Sequence, residues 1–169
     1  MSYFSIEKKS LVSISAITTN TTQTIQTSEV AVTIFNGASL TQLSSSIKYP
    51  TITISSNIFS LESGWKYIIH PRFKANNVDG AVTTYLRYYL SDGGVAISSI
   101  GTMPIYRDTS SQTAYAQEGC MAYIDATASA KTFSIVAQRV GGSTGITLNG
   151  DAAGVNAVAR SYVLIKAWR

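Results

Sequence analysis

The chain is 169 residues long, 45 % hydrophobic and only 13 % charged, with a formal net charge of +4. That length suits one domain around a single core, and the charged share is about half that of an ordinary soluble domain, so Ser, Thr, Asn and Gln must carry the polar surface. Lys and Arg are dispersed singly apart from Lys8-Lys9, which argues against a phosphate-tracking stripe; one cysteine, Cys120, excludes an internal disulfide and a cysteine-based zinc site; no apolar run is long enough for a membrane-spanning helix.

Helical periodicity is hard to find, and period-two alternation dominates, the pattern of a pleated strand with one buried face. Residues 1–8 read as an N-terminal arm, and they lack the basic start and apolar stretch of a secretion signal. Residues 9–169 read as one all-β domain. Its expected strands are Lys9 to Ile17, Glu29 to Asn36, Thr51 to Ser60, Trp65 to Ala75, Val82 to Leu90, Val95 to Ile100, Thr113 to Asp125, Lys131 to Val140 and Ala159 to Trp168. Ser91-Asp92-Gly93-Gly94 reads as a tight hairpin and Glu62-Ser63-Gly64 as the turn before Trp65. Longer loops are expected at Asn20 to Ser28, Ser39 to Tyr49, Gly101 to Ser111 and Gly141 to Val158.

Several strands lack a polar face. Tyr85, Arg87 and Tyr89 alternate with Leu86, Tyr88 and Leu90, and Tyr162, Leu164 and Trp168 alternate with Val163, Ile165 and Ala167. One face of each can fill a core; the other must be covered, most simply by another copy of the chain.

The order of these signals resembles the tumour necrosis factor-like and complement globular-head jelly rolls. The resemblance runs from Thr51-Ile52-Thr53-Ile54 through Phe59-Ser60-Leu61, Ser63-Gly64-Trp65-Lys66-Tyr67-Ile68-Ile69 and the Asp92-Gly93-Gly94 hairpin to Met121-Ala122-Tyr123-Ile124, Phe133-Ser134-Ile135-Val136 and the closing Ala159-Arg160-Ser161-Tyr162-Val163-Leu164-Ile165. Residues Thr18 to Tyr49 fit it poorly. The resemblance implies a two-sheet antiparallel jelly-roll sandwich that assembles as a homotrimer, a form that recurs among bacteriophage virion proteins. It also implies that Tyr67, Tyr115, Tyr123, Tyr162 and Trp168 lie on the sheet facing the trimer axis. The fold carries no chemistry of its own.

The residues offer little for catalysis. His70 is the sole histidine, next to Pro71 in an expected strand, and reads as structural. The nine carboxylates are scattered, and turn positions account for most of them. Gly141-Gly142-Ser143-Thr144-Gly145 lacks the lysine of a phosphate cradle. Asn149-Gly150-Asp151 offers oxygen ligands at an acidic density well below that of a calcium loop. No cofactor is therefore expected, no enzymatic activity, and no nucleic-acid or membrane partner.

A weakly charged, β-prone surface rich in Ser and Thr is the composition of virion, fibre and adhesin proteins. The expectation is a trimeric decoration protein on the outer capsid surface of a phage, made in the host cytoplasm, that binds the major capsid protein or another virion protein. Phe4 and Ile6 would anchor its arm to a capsid neighbour. The alternative is a receptor-binding or fibre-tip head that recognises a host glycan or protein. Strand-like sequence begins close to Met1, with no heptads or collagen-like repeat ahead of it, which favours decoration.

Overall fold

The computed structural model describes residues 12–17, 22–42, 48–77, 84–105, 113–115, 120–142, 145–148 and 161–169. These residues are all-β. The strands are β1 (Val12–Ile17), β2 (Gln23–Ile25), β3 (Val30–Ala31), β4 (Ser39–Gln42), β5 (Ile52–Ser55), β6 (Ile58–Leu61), β7 (Lys66–Arg72) and β8 (Lys74–Asn77). They continue with β9 (Thr84–Asp92), β10 (Val95–Ala96), β11 (Gly101–Ile105), β12 (Thr113–Tyr115), β13 (Ala122–Asp125), β14 (Lys131–Val140), β15 (Ile146–Leu148) and β16 (Tyr162–Trp168).

A five-stranded sheet runs β13-β7-β16-β1-β4, and a larger one runs β10-β9-β14-β6-β5, with β11 beside β9 and β3 beside β14. A four-stranded sheet, β12-β8-β15-β2, completes the set. The pairings are antiparallel, and six of them are nested: β1 with β16, β2 with β15, β6 with β14, β7 with β13, β8 with β12 and β9 with β11.

Alternation decides which side chains meet inside. In the five-stranded sheet Val12, Ile14 and Ala16 of β1, Tyr67 and Ile69 of β7 and Val163, Ile165 and Ala167 of β16 are buried. In the larger sheet the buried set is Phe59 and Leu61 of β6, Leu86, Tyr88 and Leu90 of β9 and Phe133, Ile135 and Ala137 of β14. Both sets belong to one core, an arrangement compatible with a β-sandwich. A file of rings threads it. Phe133 stacks on Phe59 at 4.5 Å, Phe59 meets Phe35 edge-on at 5.9 Å, and Phe73 links Phe35 at 6.2 Å to Tyr88 at 4.9 Å. Phe73 falls between β7 and β8, so this file ties the two largest sheets together, each offset or edge-on pair adding about 0.5 to 1.5 kcal/mol beyond burial.

Several expected elements are corrected. The strand from Thr51 to Ser60 is two strands, broken by a turn in which Ser56 and Asn57 take left-handed φ of 48° and 69°. Two positive φ values in a two-residue loop match the right-handed twist of a hairpin. Asn36 clasps that turn: its Nδ2 donates to Asn57 Oδ1 at 2.7 Å, and the Asn57 backbone N–H donates to Asn36 Oδ1 at 2.8 Å. The strand from Glu29 to Asn36 shrinks to Val30–Ala31, and residues 34–37 form a turn whose Ile34 and Phe35 plug the core. The expected loops contain β2, β4, β11 and β15. The Gly93-Gly94 hairpin, with φ of 55° and 91°, is as expected, and β14 has the expected limits. The arm at residues 1–8 lies outside the described residues.

Candidate interaction face

The outward face of the five-stranded sheet follows from the same parity that fills the core. With Tyr67, Ile69 and Pro71 inward, β7 turns Lys66, Ile68, His70 and Arg72 outward. With Val163, Ile165 and Ala167 inward, β16 turns out Tyr162, Leu164, Lys166 and Trp168. Register aligns these into rows. Asp125 of β13, Lys66 and Trp168 form one row, and Tyr123, Ile68, Lys166 and Ser13 the next. His70, Leu164 and Ser15 form a third, and Arg72 and Tyr162 the fourth.

Apolar groups crowd the β13 side of this face. Met121 is 59 % exposed and Tyr123 56 %. Tyr123 leans toward Trp168 with ring centroids 6.1 Å apart. Between them and the third row lies a shallow depression of about 90 Å³ lined by Ile68, His70, Met121, Leu164 and Lys166. Three of the five lining residues, Ile68, Met121 and Leu164, are apolar, and Lys166 brings a positive charge to the edge of the patch.

A polar cluster borders the aromatic pair. Asp125 accepts from Thr127 Oγ1 at 2.6 Å, from the Thr127 backbone N–H at 3.0 Å and from Tyr123 Oη at 3.3 Å. The Thr127 hydroxyl, then its amide, holds the Asp125 carboxyl below the usual aspartate range. Lys66 Nζ stands 3.9 Å from Asp125 Oδ2, an exposed pair that solvent screens and that adds little to stability. The cluster therefore orients Tyr123 more than it stabilises the fold. At the strand's end the Arg169 guanidinium sits 4.9 Å over the Trp65 ring.

Of the residues expected together, Tyr123, Tyr162 and Trp168 share this face. Tyr67 is corrected: it points the other way, is fully buried, and donates from its hydroxyl to the Glu62 carbonyl at 2.9 Å. Burial pushes its phenol far above the ordinary value, and it offers no surface to another chain. Tyr115 belongs to β12, opposite Lys74 in the four-stranded sheet, apart from the other three. Phe4, Ile6, Asn149 and Asp151 lie outside the described residues.

Ile68, His70 and Met121 were not among the residues expected at an interface. Alternation along Trp65 to Arg72 carries the signal for the first two, since Tyr67 and Ile68 cannot face the same way. His70 is half-buried on the rim of the depression. Cys120 is buried, with Sγ 3.1 Å from Ser98 Oγ and donating to the Ser99 carbonyl at 3.3 Å. Burial raises its thiol pKa, so little thiolate forms at neutral pH. Among the described residues no three His, Cys, Asp or Glu side chains gather in a metal-ligating group, and no helix is long and apolar enough to cross a membrane.

No protein-family model and no curated protein matches this chain. What the face can do chemically is adhere. It combines exposed apolar surface, amphipathic aromatic rings and a thin border of charge.

Proposed function

We propose that this chain is a non-enzymatic structural protein of a phage virion, a jelly roll that assembles as a homotrimer through the outward face of its five-stranded sheet and decorates the outer capsid surface. The observation that carries the reading is the run of Met121, Tyr123, Ile68 and Leu164 beside Tyr162 and Trp168, outward-facing apolar and aromatic surface on a sheet whose other side is already full. Apolar patches of this kind mark sites of association.

The nested strand pairs support the jelly-roll part. A long antiparallel ribbon rolled on itself pairs early strands with late ones in a nested series working inward, as β1·β16, β2·β15, β6·β14, β7·β13, β8·β12 and β9·β11 do. Self-association by threefold symmetry buries the patch on every copy at once and repeats each particle contact three times, so the individual contacts can be weak. In this reading Tyr123, Tyr162 and Trp168 are the interface aromatics, and Phe4 and Ile6 of the arm reach a capsid neighbour.

Light scattering at micromolar concentration should give three times 18.1 kDa. Trp168→Ala should shift that mass toward the monomer, because losing an interface hot-spot aromatic costs about 2 kcal/mol or more. A wild-type monomer would overturn the trimer. Antibody labelling of intact particles should then place the protein on the capsid shell, and labelling at the tail tip would replace decoration with receptor binding.

A further inference from the structure

The larger sheet carries a second outward cluster, remote from the self-association face. On β9 the side chains of Tyr85, Arg87 and Tyr89 point away from the core, since Leu86, Tyr88 and Leu90 fill it. Register places Thr102 of β11 and Gln138 of β14 on either side of Arg87. Pro104 and Val140 flank Tyr85. Glu29, at the start of β3, reaches across β14 to accept from Tyr89 Oη at 3.1 Å. That hydrogen bond fixes the Tyr89 ring and occupies the nearby carboxylate.

Arg87 is left with its charge uncommitted: it is exposed and makes no ion pair or hydrogen bond among the described residues. Arg87 stands between Tyr85 and Tyr89 on one face of β9, with Gln138 and Thr102 opposite it on the neighbouring strands, a donor fork among aromatic side chains. The fork suits a planar carboxylate, which it can grip with two parallel N–H···O bonds. The rings offer flat apolar faces with polar tips, suited to the C–H faces of a pyranose. Tyr85 and Tyr89 stand four residues apart, about 13 Å along the strand, a span that addresses neighbouring units of a chain and not one ring.

We propose that this face binds a polymer of carboxylate-bearing sugars, uronates or sialates, with a carboxylate on Arg87 and pyranose faces on Tyr85 and Tyr89. The site does not depend on the self-association reading. Biolayer interferometry of the full chain on immobilised polygalacturonate and polysialic acid tests it. At least one polymer should bind, and at least tenfold more tightly than its methyl-esterified form. Arg87→Ala should weaken binding tenfold or more. Tyr85→Ala should weaken it at least threefold although the net charge of +4 is unchanged. Dextran sulfate, an anionic polymer without carboxylates, should bind more weakly than the carboxylate polymer.

Binding of neither polymer would overturn the proposal, as would equal binding of the esterified form. Dextran sulfate binding as tightly, with no effect of Tyr85→Ala, would reduce the face to general cationic attraction and overturn it too. Light scattering of Arg87→Ala and Tyr85→Ala should match the wild type, so a failure of sugar binding is distinguishable from a failure of assembly.

Discussion

Gly101→Ala tests the packing of β11 against the core. A Cβ at Gly101 would lie 2.7 Å from Tyr88 Cζ and 2.9 Å from both Tyr88 Cε2 and Cys120 Cβ. The residue does not use left-handed backbone, so the obstacle is space alone. Neither neighbour yields easily: the Tyr88 ring is wedged edge-on against Phe73 at 4.9 Å, and Cys120 is held by Ser98 and Ser99. Overpacking of this kind costs about 1 to 3 kcal/mol. Restricting the unfolded chain offsets about 0.4 to 1 kcal/mol of it. The net expectation is a loss centred on about 1.3 kcal/mol and reaching at most about 2.6. Urea unfolding at one fixed protein concentration should show a lower midpoint with an unchanged slope. In a Tyr88→Leu background the clash with the ring is relieved while that with Cys120 Cβ remains, and the two changes should be non-additive by about 0.5 kcal/mol or more. A neutral or stabilising Gly101→Ala, or strict additivity, would refute the packing argument.

Two pH dependences follow from the same coordinates. The Thr51 backbone N–H, foremost, holds the Glu62 carboxyl below its ordinary 4.5, so its contribution is present above that value and lost as pH falls through the lower folded value. Glu62→Gln should therefore flatten part of the decline in urea midpoint on the acid side of pH 4.5, and an unchanged acid profile would count against the contact. Burial, then Cys120, pushes the Tyr88 phenol up to about 12 from an ordinary 10.0. The unfolded chain loses that proton first, so stability is full below pH 10 and falls as pH rises toward 12. Tyrosinate absorbance should show Tyr88→Phe titrating like the wild type up to about pH 11, and a missing early-titrating tyrosine would contradict the burial argument.

Legibility in the sequence tracked burial. β14 and β16 alternate cleanly because one face of each is core, and both were readable from period two alone. β4 has all four residues exposed, so no apolar rhythm announces it. β11 begins at Gly101 and contains Pro104, both of which read as loop, yet Met103 is buried against the core. The error at Phe35 is the converse. Its apolarity signalled burial correctly, but a turn, not a strand, delivers the ring to the core. For the interaction face, Tyr123, Tyr162 and Trp168 came from the family resemblance, and period two alone left open which face of β16 fills the core. Tyr67 was misplaced because its residue type was weighed without its parity: Lys66 and Ile68 on either side fix it inward.

The nesting of strand pairs also sets a timetable for synthesis. β1 finds one neighbour in β4, but its other, β16, lies about 150 residues further on, so at about 5 to 20 residues per second that edge of β1 waits roughly 7 to 30 s for its partner to be made. β6 waits for β14 in the same way, and only β9 meets its nested partner, β11, at once. Non-local pairing of this kind is slow even in a finished chain. The nascent chain therefore spends most of its time on the ribosome with open strand edges. A chaperone covering the open edges of β1 and β6 would limit pairing between nascent copies.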